Sequence, residues 1–353
     1  MTRGEVEAVN RLVSQGGLTT YSGETVTDEL DSAFVTVDGR YAYRLDSGIL
    51  RLLANTSIVL ADHPDFPRVD DAQALHNPDK ESVKAFYEET GWKKVAGQYV
   101  DGILFSDQRD VTAEYRRRYS ERLCRHIKRE GKYLLDVASG PVPDGPDTVY
   151  AQGYDFHVCI DISYAALQNA RNNLGHRGLC IQGDILNLPI KDDVVDNVVS
   201  LHTVYHLPKD EQQNAFLEIH RVLKPGSNAV VVYNWGRHAT LINLLILPVQ
   251  VYRYLKKRLM PVRKSGRATI KSLYFYAHSP RWFKTQAWPF DYELHVFRSL
   301  NTAFLKVYIH HWLGGRALLS LVYRLEERFP QRAAQLCYFP MFVIKKLGKP
   351  QSG

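Results

Sequence analysis

Three short apolar runs, each closing on an acid, constrain this chain more than any other feature. Tyr133-Leu134-Leu135 leads into Asp136 and Val137, His157-Val158-Cys159-Ile160 into Asp161, and Leu179-Cys180-Ile181-Gln182 into Gly183-Asp184. The acids stand 25 and 23 residues apart, close to one strand–helix–strand period. Continuous apolar runs, unlike alternating ones, belong to strands covered on both faces, so they predict a parallel sheet between two layers of helices. After Asp136 come Val137-Ala138-Ser139-Gly140-Pro141, small residues suited to a tight turn where backbone approaches a ligand closely.

Downstream segments keep the alternation. Ser163 is an N-cap for a helix over Tyr164 to Asn173, and a fourth strand spans Val194 to Leu201. Arg221-Val222-Leu223-Lys224-Pro225-Gly226 ends a helix, and a fifth strand spans Ala229 to Tyr233. A sixth strand covers Asp291 to Leu300 and the last Tyr338 to Ile344, with insertions at about 237–278 and 304–336. Upstream, Phe34 to Val37 and Arg40 to Arg44 flank Asp38-Gly39 as a hairpin, and residues 61–67 are turn-rich. A helix from about Val111 to Arg129 carries Tyr115, Tyr119, Leu123 and Ile127 on one stripe.

These runs, acids and turns resemble the class I S-adenosylmethionine-dependent methyltransferases between Gly131 and Trp235. The resemblance implies an α/β fold with a Rossmann-like seven-stranded sheet, and S-adenosylmethionine as cofactor. It places Asp136, Ala138, Ser139 and Gly140 under the methionine moiety. Asp161 with Ile162 falls at the ribose, Asp184 with Ile185 at the adenine, and Ser200 beside the methyl donor. Tyr115 falls on the helix that often lids the cofactor. One departure stands out: the family loop has glycine two, four and six residues after the first acid, and here those positions are Ala138, Gly140 and Val142. The stretch Tyr43 to Leu50 resembles a zinc-ribbon-like accessory domain without its cysteines, and an unrelated hairpin fits as well. The expected organisation is a β-rich module over 1–60, a linker and helical lead-in over 61–130, and a methyltransferase domain over 131–353.

The chemistry should sit beyond the carboxyl ends of the strands. There His202 and His206 follow strand four, and either suits a general base that removes a hydroxyl proton, so both are candidate catalytic residues for O-methylation. No third ligand accompanies them, so no metal site is expected. The four cysteines form no C-x-x-C pair, which excludes a zinc site or disulfide framework and points to a reducing, cytoplasmic compartment. The formal charge of +7 is unevenly placed, because no Asp or Glu occurs between Glu218 and Asp291. That block, with the apolar run Leu241 to Val251 before Arg253 to Arg258, reads as an interfacial helix on an anionic membrane surface or as a lid over a lipid-linked substrate. The expected acceptor is therefore a small molecule, glycan or lipid-linked metabolite. An RNA methyltransferase is the first rival, favoured by the basic block; a non-catalytic cofactor-binding protein of the same fold is the second.

Overall fold

The computed structural model describes residues 19–20, 32–35, 41–53, 57–59, 78–95, 97–142, 146–259 and 273–348. Five short strands come first: β1 (Thr19–Thr20), β2 (Ser32–Val35), β3 (Tyr41–Asp46), β4 (Ile49–Arg51) and β5 (Ile58–Val59). β2 and β3 pair antiparallel, with Phe34 opposite Tyr43. The Asp38-Gly39 turn and the 61–67 linker lie outside the described residues. Next come helix α1 (Pro78–Phe86), a π-helical turn (Tyr87–Gly91), α2 (Val100–Phe105) and α3 (Asp110–Leu123).

The alternating part is the centre of the molecule. β6 (Gly131–Val137), β7 (Tyr154–Asp161), α4 (Tyr164–Leu174), β8 (Gly178–Gln182), β9 (Val195–Leu201), α5 (Gln212–Val222) and β10 (Leu223–Val232) precede α6 (Thr240–Leu259) and α7 (Pro280–Thr285). The chain closes with β11 (Asp291–Arg298), α8 (Thr302–Tyr308), α9 (Gly315–Arg328), α10 (Pro330–Leu336) and β12 (Phe339–Lys346). Seven strands lie in the order β8-β7-β6-β9-β10-β12-β11, the seven-stranded sheet that the sequence predicts. The first five run parallel, and β12 is antiparallel to both of its neighbours. Strand order reverses at β6, which lies between β7 and β9, and this opens a crevice at the carboxyl ends. On the far edge β4 pairs parallel with β8, so the N-terminal strands continue the same sheet.

Both faces are covered. Leu135 and Val137 pack in one cluster with α5, while Leu134, Val199 and Val232 pack in another with α3. Each such fully buried aliphatic side chain contributes about 1.5–3 kcal/mol. Two boundaries differ from expectation. β10 begins at Leu223, because Val195 pairs with Leu223 before a register shift brings Asn197 opposite Asn228; Pro225 and Gly226 lie in that irregularity. α3 stops at Leu123, and Lys128 is drawn onto the sheet, its carbonyl accepting the Tyr154 hydroxyl at 2.7 Å and its N–H donating to Asn197 Oδ1 at 3.3 Å.

Candidate active site

The loop after β6 has an unusual backbone. Ala138, Gly140 and Val142 all have positive φ, at +56°, +61° and +42°. These are the positions where the resembled family has glycine, so two ordinary residues adopt a glycine-like path. Each costs roughly 1–2 kcal/mol, and a β-branched residue there is an outlier. Val142 is held by burial in a cluster with Ile49, Leu167 and Cys180. The turn is pinned by Ala138 N–H and Ser139 N–H, which donate to the Ile160 carbonyl at 2.7 and 3.2 Å.

Asp161, at the end of β7, ties this loop to the start of α4. Its Oδ2 accepts from Gly140 N–H at 2.9 Å, and its Oδ1 accepts from Ser163 N–H at 2.8 Å. Burial pushes its carboxyl up to about 6, against the pull of those two donors. Asp184 accepts from Leu186 N–H at 2.9 Å and pairs with Lys80 at 3.0 Å, and Lys80 also reaches Glu211 at 2.9 Å.

These groups line a cavity of about 230 Å³ whose wall includes Ala138, Ser139, Gly140, Asp161, Ile162, Asp184, Ile185, His202 and His206. Its cover comes from α1 and the π-helical turn. Tyr87 stacks on Trp92, ring centroids 4.8 Å apart, and Trp92 lies so close over Gly140 that a Cβ there would come within 2.9 Å of the indole. Trp92 lines this cavity, and its buried Nε1 has no partner among the described residues. A buried carboxylate, bare backbone and a free indole donor fit a nucleoside carrying a charged tail.

Three predicted residues stand elsewhere. Asp136 is buried and accepts the Tyr150 hydroxyl at 2.8 Å, with His157 Nε2 3.3 Å away, so it supports the sheet from outside the cavity wall. Ser200 is buried within β9 and does not reach the cavity. Tyr115 does not line the cavity: its hydroxyl donates to Glu326 at 2.7 Å, tying α3 to α9, and burial beside that carboxylate raises its pKa well above the usual value. The covering aromatics are instead Tyr87 and Trp92, which no sequence motif surrounds or announces.

A second cavity, of about 560 Å³, adjoins the first and shares Tyr87, Asp101, Leu201, His202 and His206 with it. His202 sits at the end of β9 with φ +63°. Its ring packs against Phe339, Phe297 and Tyr205 at centroid distances of 4.9, 5.5 and 6.5 Å, and its buried Nδ1 has no partner among the described residues. Burial, then the charges of Arg298 and His206, lower its pKa to about 3. His206 approaches the Tyr274 carbonyl through Nδ1 at 2.7 Å, so Nδ1 carries the proton and Nε2 is left as acceptor. Burial lowers this histidine to about 4. Both are therefore neutral near pH 7. Burial also raises Asp101 to about 6, and a hydrogen bond from Tyr87 opposes the rise. Among the described residues no group of three His, Cys, Asp or Glu could hold a metal.

Against known proteins, residues 135–231 match the family described as a methyltransferase domain, and S-adenosylmethionine is the cofactor that the cavity suits. The chain is 32% identical over 111 residues to 24-methylenesterol C-methyltransferase 2 of Arabidopsis thaliana, a match covering 30% of this chain and 29% of that protein. It is 31% identical over 71 residues to an uncharacterised methyltransferase of a Geobacillus species, covering 20% of this chain and 33% of that one. The matches thus span about a third of the length of these curated relatives. Among solved structures, phosphoethanolamine N-methyltransferase 1 of Haemonchus contortus aligns with a TM-score of 0.48 at 13% identity, over 80% of this chain and 52% of that one. This structural likeness does not bear on the acceptor.

Proposed function

We propose that the chain is an S-adenosylmethionine-dependent methyltransferase that methylates a hydroxyl of a small-molecule, glycan or lipid-linked acceptor. The observation that carries this reading is the meeting of two cavities at His202 and His206, one suited to the cofactor and the other walled largely by apolar and aromatic side chains. Bound S-adenosylmethionine supplies an electrophilic methyl group, so what remains for the protein is alignment and proton removal. The loop from Ala138 to Gly140 and Asp161 hold the cofactor side. Tyr87 and Trp92 keep water from it. His202, neutral and with a free Nδ1, takes the proton of the acceptor hydroxyl, and His206 is the alternative acceptor through Nε2.

A membrane surface is the partner we propose. No helix among the described residues is long and apolar enough to cross a membrane. Yet α6 buries only Ile242 and Ile246 among its larger apolar residues and exposes Leu244 (65%), Tyr254 and Leu259; Trp312, after α8, is 80% exposed. Lys256 and Arg258 are exposed on the same helix, in a stretch devoid of acids. An apolar helix face with cations beside it matches the surface of an anionic bilayer, where lipid-linked acceptors reside.

The test is methyl labelling of a cell extract with the purified protein, followed by separation into lipid, small-molecule and RNA fractions. Label in the lipid or small-molecule fraction as an alkali-stable methyl ether supports the reading, and label there only as an alkali-labile methyl ester overturns the hydroxyl chemistry. Label in RNA alone overturns it.

A further inference from the structure

Two buried arginines in this molecule are treated very differently. Arg122 on α3, 4% exposed, is fully paired: Glu326 lies at 3.0 Å and Glu327 at 2.8 Å, and the Val296 and Phe297 carbonyls accept from it at 3.2 and 2.8 Å. Arg298, which ends β11, is 6% exposed and has no such shell. Its guanidinium lies 4.1 Å from the centroid of the Phe339 ring and 5.6 Å from that of Tyr119. Its buried Nε has no partner, and it makes no ion pair among the described residues. A guanidinium taken out of water without a carboxylate is costly, and stacking on aromatic faces offsets only part of that cost.

Arg298 lines the larger cavity, together with His202 and His206. We propose that Arg298 is the anion-recognition residue of that cavity, and that the acceptor is an amphiphile whose carboxylate or phosphate pairs with it while its apolar body lies against Phe105, Phe275, Phe297 and Phe339. The inference rests on the reading of the larger cavity as the acceptor site. A planar fork of donors suits a carboxylate or phosphate in two-pronged contact, which lysine would not reproduce. Pairing there also fixes the distance between the acceptor's anionic end and the histidines. Charge and base are thus coupled: the guanidinium lowers the basicity of His202, and an acceptor anion paired with it offsets that charge and restores part of the basicity that proton removal needs.

The experiment is equilibrium binding of three probes below their micellar range, octanoate, octyl phosphate and octanol, to the full chain saturated with S-adenosylhomocysteine. Both anions should bind about tenfold or more tightly than octanol. Arg298→Met should bring them down to the octanol level without changing affinity for octanol or S-adenosylhomocysteine. Arg298→Lys, which keeps the charge and loses the fork, should fall between, and this variant serves if the methionine variant is unfolded. A preference for octanoate over octyl phosphate assigns a carboxylate, and the reverse order a phosphate. Octanol binding with no preference for either anion, or a preference that survives in Arg298→Met, overturns the inference and leaves the acceptor cavity standing. Failure of all three probes to bind, with S-adenosylhomocysteine still bound, overturns the acceptor reading itself and this inference with it.

Discussion

His202 concentrates the chemistry at the scale of single residues. A non-glycine residue at φ +63° is held there by its surroundings, and what holds it is the aromatic wall of Phe297, Phe339 and Tyr205. The left-handed turn takes the ring out of the strand's alternation and into the partition between the two cavities. His202→Gln keeps most of that packing and lacks a basic nitrogen. It should lower kcat by roughly 10²–10⁴ while S-adenosylhomocysteine affinity, measured by calorimetry, stays within error. An unchanged kcat would move the role of base to His206. The loop makes a complementary prediction. Ala138→Gly relieves the strain of a side chain at positive φ, whereas Gly140→Ala introduces that strain at φ +61° and drives a Cβ against Trp92. The first should leave stability unchanged or raise it by about 1 kcal/mol, and the second should lower it by about 1–2 kcal/mol, both read from denaturant melts. Asp161 is legible in the sequence because it ends a strand of recognisable pattern, and the histidines because they follow one. Tyr87, Trp92, Asp101 and Arg298 are not, because they reach the cavities from distant parts of the chain and no local spacing announces that convergence.

At the scale of elements, patterns set by burial are readable and boundaries set by tertiary hydrogen bonds are not. The parallel strands announce themselves as apolar runs because helices cover them on both sides. The end of α3 does not, since the Tyr154 hydroxyl and the Asn197 amide that draw Lys128 onto the sheet are remote in sequence. α6 shows the same limit from the opposite direction. Its apolar run is compatible with a buried lid, yet only Ile242 and Ile246 of its larger apolar residues are buried. Each cation near an anionic bilayer contributes about 1 kcal/mol. The double variant Lys256→Glu, Arg258→Glu should therefore weaken co-sedimentation with phosphatidylserine-containing vesicles by about tenfold or more. Leu244→Ser with Leu259→Ser should weaken binding to neutral vesicles too. Binding indifferent to both pairs of changes would remove the membrane from the proposal and leave the active site untouched.

Across the whole molecule, the buried titratable groups pull stability in opposite directions as pH changes. His126, His202 and His206 are depressed to about 4, 3 and 4, mainly by burial. The unfolded chain therefore takes up these protons first, so their contribution is complete above about pH 6.5 and is lost as pH falls towards 4. Asp101 and Asp161 are raised to about 6. The folded chain then holds their protons longer, so they favour the folded state below about pH 4 and lose that effect as pH rises through 6. His220 and His278 are lowered by burial as well, so the depressed histidines outnumber the two raised aspartates and leave a net fall in stability on acidification, with each unbalanced proton contributing up to about 1.4 kcal/mol per pH unit. Thermal melts between pH 4.5 and 8 should show Tm falling below pH 6.5. His202→Gln should flatten that fall because it removes one of the destabilising protonations. Asp161→Asn should steepen it, since the opposing aspartate is gone, and should also abolish binding of S-adenosylhomocysteine. The two slopes must move in opposite senses. If Asp161→Asn left the profile unchanged, Asp161 would be ionised throughout the range, and its carboxylate would be held by the Gly140 and Ser163 donors more strongly than burial resists them.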